Sequence, residues 1–68
     1  MNMQPVRSTA IAAVGYDPAT RDLAIRFTSQ TKIYIYVGVP ISVYTAFMNA
    51  ASKGQYFDAF IKDRYSAR

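Results

Sequence analysis

Leu23, Ile25 and Phe27 alternate with Ala24, Arg26 and Thr28, and a sustained period of two describes a strand with one buried face. A polar loop, Ser29-Gln30-Thr31, leads into Lys32 to Val37, which is β-rich on both faces: Ile33, Ile35 and Val37 point one way, Tyr34 and Tyr36 the other. The face that meets the core depends on register. A loop of two or four residues sets Ile25 opposite Tyr34 and Leu23 opposite Tyr36, so the tyrosines join the core. A loop of three brings in the isoleucines instead. The pattern leaves both registers open.

The flanking segments complete a small α+β unit. Upstream, the β-branched and aromatic content of Ala10 to Tyr16 predicts another strand, ended by Asp17-Pro18. Pro18 presets φ for a turn, and Asp17 can accept a hydrogen bond from a backbone N–H farther along it. Downstream, Val39-Pro40 closes the sheet, because proline lacks a ladder donor yet suits a helix start. A helix is expected from there to about Ala51, with Val43, Tyr44, Phe47, Ala50 and Ala51 on one face. Ser52-Lys53-Gly54-Gln55 has the spacing of a capping box, while Gly54 could equally end the first helix. Tyr56, Phe57, Phe60 and Ile61 form a second, shorter apolar stripe. The expectation is a three-stranded antiparallel meander followed by a helix packed on one face and a second short C-terminal helix. Residues 1–7 are expected as a flexible tail, 8–65 as a single domain and 66–68 as a C-terminal tail. The second sheet face has no obvious cover.

A chain of 68 residues with no Cys and no His has no thiol nucleophile, no disulfide and no imidazole. It also lacks the usual ligands of zinc and iron–sulfur sites. Asp17, Asp22, Asp58 and Asp63 are the only carboxylate side chains, and Asp17 and Asp22 flank a turn where they serve backbone hydrogen bonding. A non-enzyme without metal or cofactor is therefore expected. The apolar runs Ala10–Tyr16 and Ile33–Val39 are far below the roughly 20 residues of a membrane span, and the first residues are too weak for a signal peptide. A cytoplasmic location is expected. Net charge is +4, a balance compatible with an anionic partner such as nucleic acid.

Tyr34-Ile35-Tyr36, preceded by Val14-Gly15-Tyr16-Asp17 and the Leu23, Ile25, Phe27 strand, resembles the pattern of the KTSC domain family. The likeness continues through Val39-Pro40, Val43-Tyr44, Ala50, Ser52, Gly54, Tyr56-Phe57 and Ile61-Lys62. That family occurs at the C-terminus of some lysyl-tRNA synthetases and as stand-alone bacterial proteins, and the resemblance implies RNA binding as a hypothesis, without a mechanism. Two positions depart from the pattern: Ser29-Gln30-Thr31 stands where glycine is expected, and Asp58 where asparagine is frequent.

Each candidate residue has a functional and a structural reading. Tyr34 and Tyr36 could stack bases while Lys32 and Arg26 hold phosphates; structurally, the rings would pack under the helix beside Leu23 and Ile25. In that case Ile33 and Ile35 lie outside and mark an interface, with Met48 as a further contact. Lys53 beside a helix start could hold a phosphate, or Ser52 and Gly54 could simply cap the junction. Lys62, with Arg64 and Arg68, could extend a basic surface or belong to a solvated tail. The leading expectation is a non-catalytic module binding RNA or single-stranded nucleic acid through Tyr34, Tyr36, Lys32, Arg26, Lys53 and Lys62. The competing expectation is a protein-interaction or self-associating domain using Ile33, Ile35 and Met48.

Overall fold

The computed structural model describes residues 1–68. Four strands, β1 (Gln4–Pro5), β2 (Ile11–Asp17), β3 (Asp22–Phe27) and β4 (Ile33–Tyr36), precede two helices, α1 (Ile41–Asn49) and α2 (Lys53–Phe60). The sheet is antiparallel throughout, in the order β1-β2-β3-β4. The α+β class and the central meander are as expected, but the sheet has four strands, not three. The additional strand comes from the segment expected to be a loose tail: Gln4 pairs with Val14 and Pro5 with Ala13. The ladder extends to Val6, whose N–H donates to the Ala12 carbonyl at 3.2 Å.

The β2–β3 turn is built by the Asp17 side chain, which accepts from the Ala19 N–H at 2.9 Å, while the Arg21 N–H donates to the Asp17 carbonyl at 2.7 Å. Arg21 closes the turn in the left-handed region, φ 61°. Its carbonyl accepts from the Val39 N–H at 2.9 Å, which ties this turn to the start of α1. Between Ile11 and Ala13 the β2–β3 register shifts by one residue. This bulge lets Ile11 and Val14, three apart, both face the core.

The register of β4 settles the orientation of its side chains. Leu23 pairs with Tyr36, Ala24 with Ile35, Ile25 with Tyr34 and Arg26 with Ile33, the register of a four-residue loop. The tyrosines therefore share the core face. That face is covered by the helices through Phe47, Phe57 and Ile61, which join Ile11, Val14, Leu23, Ile25, Tyr36 and Val39 in one cluster. Burying a large aliphatic or aromatic side chain is worth about 1.5–3 kcal/mol, so this cluster dominates the stability of a domain this small.

Three further differences from the sequence expectation have clear causes. The outer sheet face is partly covered: a Cβ on Gly15 would stand 2.9 Å from both the Asn2 carbonyl oxygen and the Met3 sulfur, so the N-terminal residues cross the sheet where a side chain is missing. The C-terminal residues 66–68 are not a loose tail. The Val37 N–H donates to the Ser66 carbonyl at 2.9 Å, and the Arg68 N–H donates to the Ile35 carbonyl at 2.8 Å. The Arg68 guanidinium also meets Asp22 at 2.7 Å. Finally, α1 stops at Asn49, two residues short of Ala51, because Ser52 begins α2: its hydroxyl oxygen accepts from the Gln55 N–H at 3.3 Å. Gly54 lies inside α2 and is not a C-terminal cap. No helix is long and apolar enough to cross a membrane.

Candidate nucleic-acid interface

Where β3 and β4 diverge toward their connecting loop, the core face opens into a cleft of about 450 Å³. Its apolar wall consists of Phe27, Tyr34, Tyr36 and Phe57, and Gln30 and Lys62 supply polar groups. The rings are arranged edge to face. Phe27 meets Tyr34 at 5.7 Å and Phe57 at 5.2 Å between centroids, and Tyr36 meets Phe57 at 5.3 Å, with interplanar angles of 66–74°. Such packing fixes ring orientation beyond what area burial alone would do.

Tyr34 and Tyr36 have different roles within this wall. Tyr34 is half-buried; its hydroxyl donates to the Gln30 side-chain carbonyl at 2.8 Å, and the Lys32 ammonium lies 5.0 Å from its ring centroid. An exposed cation–π pair of this kind contributes roughly 0.5–1 kcal/mol. It keeps a positive charge beside an accessible aromatic. Tyr36 is only 7% exposed. Burial pushes its phenol above the ordinary value, and neighbouring Tyr34 adds to the shift. It forms floor more than contact surface.

Of the six residues expected to touch nucleic acid, Tyr34, Tyr36 and Lys62 line this cleft, and Lys32 joins them through the Tyr34 ring. Arg26 does not. It pairs with Ile33 on the opposite sheet face: the alternation of β3 that buries Leu23 and Ile25 turns Arg26 outward, and the β4 register turns the tyrosines away from it. Lys53 lies in a second cleft, of about 370 Å³, together with Arg7 and Thr9. The expected interface residues are also divided. Ile33, 41% exposed, and half-buried Ile35 share the outer face, whereas Met48 packs from α1 against the core.

The sequence reading missed Phe27, Phe57 and Gln30 as cleft residues. Phe57 belongs to the core cluster and Phe27 packs against it, so their apolar periodicity is that of core residues and carries no separate mark of the cleft. Gln30 was legible as a polar loop residue, but its bond to Tyr34 depends on the loop's path.

A family model described as the KTSC domain matches residues 7–65. A protein of Tsukamurella paurometabola is 45% identical over 65 residues, covering 96% of both chains. A lysine–tRNA ligase from a Nostoc species is 46% identical over 55 residues, which are 81% of this chain but 10% of the ligase. Among solved structures, the crystal structure of a KTSC domain protein from Yersinia pestis superposes with a TM-score of 0.93 at 43% identity, covering 98% of this chain and 93% of the other. Family model, full-length relative and superposed fold coincide over the same residues: the chain belongs to the KTSC domain family.

Proposed function

We propose that this domain is a non-catalytic module that binds single-stranded nucleic acid, RNA foremost, by receiving an unstacked base in the aromatic cleft. The observation that carries the reading is the pairing of half-buried Tyr34 with two cations, Lys32 over its ring and Lys62 in the same cleft. Sequence-tolerant recognition of single strands combines aromatic faces for bases with positive charge for phosphates. The net charge of +4 and the occurrence of a similar segment in a lysine–tRNA ligase support the same direction. A non-catalytic role is supported by the absence of His and Cys from the sequence.

The test is binding of a labelled mixed-sequence RNA at three salt concentrations. Saturable binding that weakens with salt is expected, since neutralising phosphates releases counterions. Lys62→Glu should weaken it further. Salt-independent binding, or none at low salt, would refute the reading.

A second reading, self-association through the outer sheet face, is favoured by the exposure of Ile33 at 41% and Val37 at 42%. Light scattering at high concentration tests it, and a strict monomer would remove the homodimer.

A further inference from the structure

The second cleft has the opposite chemistry to the first. Arg7 and Lys53 supply two cations, Ser8, Thr9 and Ser52 supply hydroxyls, and no carboxylate side chain lines it. The Ser8 hydroxyl oxygen accepts from the Ala10 and Ile11 N–H groups at 3.2 Å, and that of Ser52 from the Gln55 N–H. With those oxygens already accepting, the hydroxyl protons are what remains to offer. Two cations and hydroxyl donors suit an anionic acceptor.

The two clefts are neighbours. Thr9 lines the basic one and Ala10 the aromatic one, and consecutive Cα atoms are about 3.8 Å apart. From the helix side, Gly54 closes the same partition: a Cβ there would sit 3.2 Å from the Ala10 Cβ. The partition is thus alanine against glycine, with no long side chain rising from it. It is also held in place, because the Thr28 N–H donates to the Ala10 carbonyl at 3.0 Å and the Thr28 hydroxyl to the Thr9 carbonyl at 2.9 Å.

We infer that a nucleic-acid strand crosses this low partition, with one base in the aromatic cleft and an adjoining phosphate between Arg7 and Lys53. The inference rests on the base-binding reading above and adds a direction of travel, from β4 over Ala10 and Gly54 toward the start of α2. It assigns Arg7 and Lys53 to the phosphate and leaves Arg26, on the far face, outside the path.

The test is a titration of ¹⁵N-labelled protein with a single-stranded RNA tetranucleotide, alongside the variants Tyr34→Ala and Arg7→Glu/Lys53→Glu. A negative charge at position 53 sits in the first turn of α2, where it favours the helix, so the double variant should remain folded. Binding is expected to shift the amides of Gln30 and Tyr34 together with those of Thr9, Lys53 and Gly54. Both variants should weaken affinity, and the double variant should also flatten the slope of log affinity against log salt by about 0.7 for each phosphate that is no longer neutralised. Shifts confined to the aromatic cleft, with an unchanged slope in the double variant, would overturn the path while leaving base binding intact. Weakening by the double variant alone would overturn both, since the base would then lie elsewhere, as would the absence of any shift in the wild type.

Discussion

The Tyr16 hydroxyl donates to the Val39 carbonyl at 2.6 Å, joining residues 23 apart in the chain. The same ring stacks on Tyr44 at 4.4 Å between centroids and 7° between planes. One side chain therefore links the end of β2, the residue before Pro40 and the first turns of α1.

Tyr16→Phe should keep the stack and lose the hydrogen bond. Val39 is fully buried, so its carbonyl would lose a partner that water does not readily replace. A loss of about 1 kcal/mol is expected, read as a fall in Tm of roughly 4–8 °C. An unchanged Tm would show that the bond contributes nothing net.

Phe47 and Ile41 lie in the same helix with opposite exposures, 0% and 60%. Phe47→Ala should cost about 3–5 kcal/mol, enough to unfold much of a domain this small at room temperature. Ile41→Ala should stay within about 0.5 kcal/mol. Urea unfolding of the two variants makes the comparison, and equal midpoints would contradict the packing described.

Burial raises the phenols of Tyr36 and Tyr16 above the ordinary value of 10.0; Tyr34 adds to the shift at Tyr36, and at Tyr16 Asp17 adds while Arg21 opposes. Above that value the unfolded chain loses these protons before the folded one does. Stability is thus present in full below about pH 10 and declines as pH rises through the raised folded values. Tyr36→Phe removes one of the two groups, so its urea midpoint should fall less steeply on going from about pH 9 to about pH 11. A parallel decline in wild type and variant would exclude Tyr36 as a contributor.

Tyr34 offers a ring and a hydroxyl, and substitution separates them. Tyr34→Phe abolishes the bond to Gln30 but keeps an aromatic face, so RNA affinity should change by less than roughly threefold, the ring supplying most of the energy. Tyr34→Ala should lower affinity roughly 5- to 150-fold, corresponding to the loss of about 1–3 kcal/mol of stacking. Fluorescence anisotropy with the same labelled RNA distinguishes the two, and equal losses would point to the hydroxyl.

The parts legible in the sequence were those encoded by local pattern: the alternation from Leu23 to Phe27, the Val43, Tyr44 and Phe47 part of the first helix's stripe, the Asp17 turn and, as one of two readings of that junction, the Ser52 cap. What escaped depended on one or two residues meeting distant ones. Gln4–Pro5 is too short to show a period and is a strand only because β2 offers an edge. The bulge near Ala12 leaves no mark of its own, although it brings both Ile11 and Val14 inward. Register decided the site. Loop length alone separates tyrosines facing the core from tyrosines facing solvent, and the same choice put them on the opposite face from Arg26. Lys53 is adjacent to the cleft only through the approach of Gly54 to Ala10, a pairing 44 positions apart.

Both borders of the sheet are partly blocked by the chain itself. On one side β1 is two residues long and includes Pro5, which has no N–H to offer an incoming strand. On the other, Ser66 and Arg68 already occupy backbone groups of Val37 and Ile35. Exposed strand edges invite pairing between chains and, through it, aggregation; here an apolar, tyrosine-rich strand is shielded by its own chain. A partner that cannot add a strand must be recognised through side chains, and removing residues 66–68 should make the protein precipitate at a lower concentration than the intact chain does.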